Sequence, residues 1–383
     1  MQNMTQRQWF KLHGWISLPI WVVFCFVCIT GTIAVVSHEL TWLTNDNARA
    51  HNPNDLPAKP MAELVASLKA YDNTAQPSTI VSFESYLTTG IVFSSEKVPF
   101  GVAYINQYTG EVQEINQGPT FINFMRSLHS WLLFPWQNSY SVGYYLVSAM
   151  SFVMLGALIT GLVIYKRFWK ALISPKIRTQ QNKKTLLADL HKHTGVWSMW
   201  FLLVMSITGL WYFTQQILWH ADYEITPHAR LVVQSDLPMS QNAQANISLA
   251  DAISIASATF ENFKPTYILL PEHNRDTYKV KGSGDSIFFD NTSYQVLVNP
   301  WNGDIEQLTQ PSTMGALQTI QHVMDPLHFG YIGGLWTKFI WFAFGVLLSG
   351  MSITGFMIWG SRIRQNVKDK GKPPSIVNPI EGV

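Results

Sequence analysis

Four stretches of the chain, residues 12–38, 127–165, 194–221 and 339–361, contain no Asp, Glu, Lys or Arg. Each exceeds the roughly 20 apolar residues that a helix needs to cross a bilayer. They predict transmembrane helices at 13–40, 124–166, 191–220 and 322–361, the second and fourth with an external leading segment. Between them the pattern changes. Residues 60–70 and Leu249–Phe260 have helical spacing, whereas Thr79–Phe83, Ile91–Ser94, Val102–Asn106, Glu111–Ile115, Thr266–Leu270, Thr277–Val280 and Tyr294–Val298 read as strands. Thr109-Gly110 and Asn302-Gly303 supply the positive φ of tight turns. The expected fold is an α-helical membrane protein: a four-helix bundle made of two parallel repeats, with two small α+β modules at 41–123 and 221–321.

The repeat is visible in the residues themselves. His13-Gly14-Trp15 and Thr30-Gly31 recur as His191, with Gly195 and Trp197 behind it, and Thr208-Gly209. Likewise Met125-Arg126-Ser127-Leu128-His129 recurs as Met324-Asp325-Pro326-Leu327-His328, and Thr160-Gly161 as Thr354-Gly355. Each half crosses the membrane out and back, so the halves are related by an axis along the membrane normal.

Charge sets the orientation, because cytoplasmic loops are enriched in Lys and Arg. Residues 166–192 hold eight basic groups against Asp189, whereas residues 39–123 hold nine acidic and four basic groups and residues 220–327 hold twelve and five. Both modules are therefore expected outside. Residues 1–12, the loop 167–190 and the tail 362–383 (Arg362, Arg364, Lys368, Lys370, Lys372) are expected in the cytoplasm. The first run is too long, and its start too poor in basic residues, for a cleaved signal peptide.

Composition narrows the class further. The 383 residues are 47% apolar and only 13% charged, with a net charge of +2, which excludes a disulfide scaffold, a disordered tail protein and a nucleic-acid binder. Cys25 and Cys28 are the only cysteines, and Ile29 stands where c-type haem attachment needs His. The modules contain no Gly-rich phosphate cradle, nucleophile elbow or paired-Cys metal site.

Eight of the eleven histidines cluster at the ends of the apolar runs. His13 and His191 stand at cytoplasmic helix starts, and His129 and His328 at external ones. Two neutral imidazoles on partner helices are what a six-coordinate haem iron requires, whereas zinc wants further ligands. Two haems b are therefore expected. Gly31 and Gly209, at the depth of the outer pair, and Gly161 and Gly355, at the depth of the inner pair, leave room for a flat macrocycle; close helix packing is the plainer account of each alone. Arg7, Lys11 and Lys192 are candidate propionate partners for the inner haem, Arg126 and Lys338 for the outer one. His38, His220, His193 and His322 are alternate ligands. Trp136, Tyr140, Trp301, Tyr104 and Tyr108 are candidates for an external substrate surface.

In their order, these motifs resemble the PepSY-associated transmembrane family over residues 5–365: a His-Gly helix with a late Thr-Gly, a helix-plus-hairpin module ending in Tyr108-Thr109-Gly110-Glu111, a Leu-His-Ser-Trp-Leu-Leu segment, Leu-His-Lys-His and Leu-His-Phe-Gly. The resemblance implies an inner-membrane protein with PepSY modules in the periplasm. It extends to the members that are di-haem ferrisiderophore (ferrioxamine) reductases, and His13, His129, His191 and His328 match the family's recurrent histidines. The implied function is transfer of electrons across the membrane to a ferric siderophore, releasing Fe(II). Unlike relatives fused to flavin reductase domains, the chain has no such domain, which leaves a quinol or a separate cytoplasmic reductase as donor.

Two other readings compete. A non-haem PepSY scaffold that binds or regulates an envelope protein would be colourless. A permease for the chelate would need charges or broken helices at mid-membrane, and the four runs show neither there, apart from Pro19 near one end.

Overall fold

The computed structural model describes residues 4–238 and 245–370. The remainder of the tail, with Lys372, lies outside the described residues. The chain divides into two compact units. Met1–Thr32, Ala149–Ile207 and Ala343–Val383 make the first, and Ile33–Ser148 and Thr208–Phe342 the second.

The first apolar run is two helices, α1 (Gln6–Ser17) and α2 (Trp21–Val35), bent by 67°. Pro19 lies in the break, because proline has no N–H for the helical ladder and its ring displaces the preceding turn. Thr5 starts α1 through a reciprocal capping box with Gln8. Helix α3 (Ser37–Thr44) follows, then α4 (Met61–Tyr71) and four strands, β1 (Gln76–Val81), β2 (Thr89–Ser94), β3 (Gly101–Ile105) and β4 (Val112–Asn116). Next come α5 (Phe121–Trp131) and α6 (Val142–Ile164), separated by a corner in which Leu132 and Leu133 take φ of 54° and 60°.

The second half runs in the same order. Short α7 (Phe168–Ile173) leads to α8 (Lys183–Trp197) and α9 (Met199–His220), interrupted at Ser198. Helix α10 (Leu249–Thr259) precedes β5 (Lys264–Leu269), β6 (Tyr278–Ser283), β7 (Tyr294–Val298) and β8 (Ile305–Thr309), and α11 (Ala316–Phe329) and α12 (Leu335–Lys370) complete the chain. Gly330 ends α11 at φ 76°, where an added Cβ would lie 2.4 Å from Trp341 Cγ, so the turn accepts no other residue without rearrangement.

All eight strands share one antiparallel sheet in the second unit, ordered β4-β3-β2-β1-β5-β6-β7-β8. The sequence reading treats the modules as separate; in the structure β1 pairs with β5 through Ile80 and Ile268, joining them edge to edge. Helices α4 and α10 cover one face, burying Leu64, Leu68, Ile80, Ile91, Ala252, Ile268, Val280 and Val296 in a common core. Joining the modules removes two exposed strand edges at once. Strand β8 has its two apolar residues, Ile305 and Leu308, three positions apart and so lacks the period-two alternation by which a strand is read from sequence.

Val142–Ile164, Met199–His220 and Leu335–Arg364 are long and apolar enough to cross a membrane, and the bent α1–α2 pair supplies a fourth span if counted as one. The chain is a mostly helical membrane protein with a separate antiparallel sheet.

Candidate functional site

Each unit holds one pair of histidines. In the first unit, His13 of α1 and His191 of α8 have ring centroids 6.3 Å apart, with planes at 81°. In the second, His129 of α5 and His328 of α11 are 6.2 Å apart, with planes at 27°. An imidazole nitrogen sits about 2.0 Å from a bound metal and about 1.2 Å from its ring centroid, so two imidazoles trans on one ion have centroids roughly 6.4 Å apart. Both pairs have that spacing.

For His13 and His191 the hydrogen bonds decide which ring nitrogen is available. Thr160 Oγ1 donates its proton to the Gly156 carbonyl at 2.7 Å and so presents a lone pair to His13 Nδ1 at 2.8 Å. His13 must then carry its proton on Nδ1. His191 Nδ1 donates to the Met351 carbonyl at 3.0 Å, with Thr354 Oγ1 at 3.3 Å. In the second unit Thr208 Oγ1 lies 2.8 Å from His328 Nδ1. For His13 and His191 this pattern leaves the Nε2 lone pair free to coordinate, and an oriented imidazole is the usual arrangement behind a metal-bound histidine.

The Thr-Gly pairs at 160–161 and 354–355 thus lie against the inner imidazoles. The sequence reading assigned the glycines to the macrocycle and overlooked the threonines. Gly355 makes room for the imidazole, since an added Cβ would lie 3.2 Å from His191 Cε1, whereas at Gly161 it would make an ordinary contact with His13 Cε1 at 3.8 Å. Gly31 lies on α2 and Gly209 on α9, beside Thr208.

A cavity of about 390 Å³ opens around His13 and His191, walled mainly by apolar side chains such as Leu18, Phe24, Leu158 and Phe356. Gly14, Gly161, Gly195 and Gly355 also line it. Its cations are Lys192 and Arg362, which lie over Tyr165 and Phe10 at 5.6 Å and 4.3 Å. Lys192 is additionally held by buried Asp189 at 3.4 Å. The Arg178 guanidinium beside Asp189 keeps its carboxyl well below the usual carboxylate range. Arg362 has no counterpart among the sequence candidates, because only folding brings residue 362 to His13; Lys11 is exposed and does not line the cavity.

The outer candidates divide. Arg126 lies 5.7 Å over the Phe329 ring, next to His328 in sequence. Lys338 is not available to a propionate: it is 6% exposed and its ammonium bridges Glu39 at 3.1 Å and Glu84 at 2.5 Å. The alternate ligands are engaged elsewhere. His38 Nδ1 faces Glu84 at 3.6 Å, His193 Nε2 donates to the Lys176 carbonyl at 3.0 Å, His220 packs on Tyr140 at 4.8 Å, and His322 Nδ1 meets Asp290 at 2.6 Å.

Of the substrate-surface candidates, Trp136 packs on Tyr144 in an aromatic cluster that reaches His328 through Tyr212, whose ring is edge-on to it at 5.0 Å. Tyr212 in turn donates to Asp325 at 2.8 Å. Trp301 donates through Nε1 to the Asn274 carbonyl, and Tyr108 through its hydroxyl to the Ser85 carbonyl.

Among the described residues no three His, Cys, Asp or Glu side chains converge as a metal cluster. The donor set is two imidazoles and nothing more. That suits a metal whose other ligands arrive with it, as in haem, and the glycine-lined apolar cavity with two cations fits a flat group bearing carboxylates.

Fold and site define the class: a helical membrane protein with a paired-imidazole site in each unit and an antiparallel sheet. The chain belongs to the family described as PepSY-associated TM region, which matches residues 10–362. No curated protein matches it.

Proposed function

We propose that the protein is a di-haem b oxidoreductase of the bacterial inner membrane, built of two parallel repeats, that delivers electrons to ferric siderophores in the periplasm. The donor is a quinol or a cytoplasmic reductase, and both termini lie in the cytoplasm. The observation that carries this reading is the pair of imidazole pairs, each with the centroid spacing expected of two imidazoles on one metal ion. Bound haem would supply reversible one-electron chemistry.

The chain's own residues do the positioning. His13 and His191 would hold one haem iron, and His129 and His328 the other. Thr160, and the Met351 carbonyl with Thr354, take the Nδ1 protons of the inner pair, which aims Nε2 and raises its basicity, and Thr208 positions the His328 ring through Nδ1. The apolar wall of the inner cavity excludes water, and Lys192 and Arg362 would receive the propionates. No nucleophile or proton donor is required, because hard oxygen ligands hold Fe(III) far more tightly than Fe(II) and one-electron reduction loosens the chelate.

The test is the absorbance spectrum of the purified protein. A Soret band, sharp visible bands on reduction and two haems per chain by pyridine haemochrome are expected, with reoxidation on adding a ferric siderophore. A colourless protein overturns the proposal.

A further inference from the structure

The sheet has a second face. On β6, Val280 points into the core under α4 and α10, so its neighbours Lys279 and Lys281 point to the opposite side. Across the ladder to β5 they stand opposite Leu269 and Tyr267, and Tyr267 stacks on Phe83 with centroids 6.3 Å apart and planes at 12°. Both lysines are half-buried. Neither ammonium has a hydrogen bond or ion pair among the described residues.

Two like charges two residues apart on one strand face are an unfavourable arrangement when left without a counter-charge. Burial, followed by the Lys279 charge, holds the Lys281 ammonium below its usual range. The acid in electrostatic reach is Asp290, and its carboxylate is already occupied: Thr292 donates to it through N–H at 2.7 Å and through its hydroxyl at 2.8 Å, and His322 meets it at 2.6 Å. Elsewhere in this unit a buried ammonium is neutralised, as Lys338 is by two carboxylates. Lys279 and Lys281 are the exception.

The location fits a ligand of the outer histidine pair. Asp290 lies in the loop after β6, and its backbone N–H donates to the His322 carbonyl at 3.0 Å. That loop is clamped at both backbone and side chain to α11, the helix that carries His328.

We propose that Lys279 and Lys281, with the Tyr267–Phe83 stack beside them, bind the electron acceptor, and that this acceptor is a net-anionic ferric chelate rich in carboxylate or catecholate oxygens. The two ammonium groups supply the charge that such a chelate carries in excess of its iron, and the aromatic stack supplies a flat apolar contact. The word acceptor rests on the proposed function; binding does not, because it needs no electron transfer.

The experiment uses the full-length protein, fully oxidised in detergent, with ferric citrate as the anionic probe and a cationic ferric trihydroxamate as the opposite one. Binding is read by tryptophan fluorescence at low and at raised salt. Wild type is expected to prefer the anionic probe, and Lys279→Gln/Lys281→Gln to weaken it about tenfold, the loss of one to two charge-assisted hydrogen bonds. Added salt should act in the same direction. Lys279→Arg/Lys281→Arg keeps the charge and should keep the binding, which separates a lost site from a disturbed sheet. Equal binding by the Gln variant, a preference for the cationic probe, or loss of binding in the Arg variant while its absorbance and melting match wild type overturns the assignment. A colourless protein that still binds ferric citrate through these lysines would sink the haem reading and leave this one standing.

Discussion

The two histidine pairs share a donor scheme and differ in almost everything around it. His13 and His191 meet nearly at right angles inside an apolar cavity with Lys192 and Arg362, whereas His129 and His328 lie within 27° of parallel, with the Tyr212 edge and the Asp325 carboxylate near by. On the proposed reading, the spacing between imidazoles is set by the haem they would hold, so it is common to both. Tilt and polarity come from neighbouring side chains and are free to diverge. On the proposed reading, two sites built this way would hold the same cofactor at different potentials, which would give transfer between them a direction.

The strongest way to break the comparison is to delete one pair at a time. His13→Ala is expected to remove about half the haem and His328→Ala the other half, each leaving the partner site loaded, as counted by pyridine haemochrome. Full haem in both variants would remove these residues as ligands. A smaller effect separates the two rings of the inner pair. His13 relies on a hydroxyl at 2.8 Å, whereas His191 has a backbone carbonyl at 3.0 Å ahead of its threonine. Thr160→Val should therefore weaken haem retention by roughly 10- to 100-fold, and Thr354→Val much less, measured by haem transfer to an apo-acceptor protein. Equal losses would mean that the hydroxyls do not orient the rings.

Glycine substitutions sharpen it further. An added methyl at Gly355 comes within 3.2 Å of His191, against 3.8 Å at Gly161 and His13. Gly161→Ala should be neutral or raise stability by about 0.5–1 kcal/mol through helix propensity, whereas Gly355→Ala should lose that gain and shift the Soret band. A melting curve followed at the Soret maximum tests both. The gentlest probe leaves the protein intact: near-perpendicular and near-parallel axial rings split the iron orbitals differently, so the oxidised protein should give two distinct low-spin resonance signals. One signal of double intensity would contradict the observed ring angles.

Much of the site is local in the chain and was legible there. A charge-free run long enough to cross a bilayer is recognisable without knowing its neighbours, and duplication singles out His13, His129, His191 and His328 from eleven histidines. Thr160, Thr208 and Thr354 were legible too, beside glycines that recur with them, but their role needs the distance to Nδ1. Lys338 shows the opposite failure. Its position near an apolar run suggested a propionate partner, and only folding reveals Glu39 and Glu84 against it, from residues some 300 and 250 positions away.

What the sequence determined by itself is therefore the set of elements whose cause is short-range: apolar runs, turn residues, strand alternation and the repeated His and Thr-Gly motifs. Tertiary structure alone decided that β1 pairs with β5 to make one sheet, that Arg362 reaches the His13 cavity and that Lys279 and Lys281 are left without a counter-charge. Those outcomes depend on which side chains meet across long chain separations, and hydrogen bonding and charge act at a few ångströms in space however far apart the residues lie in the chain.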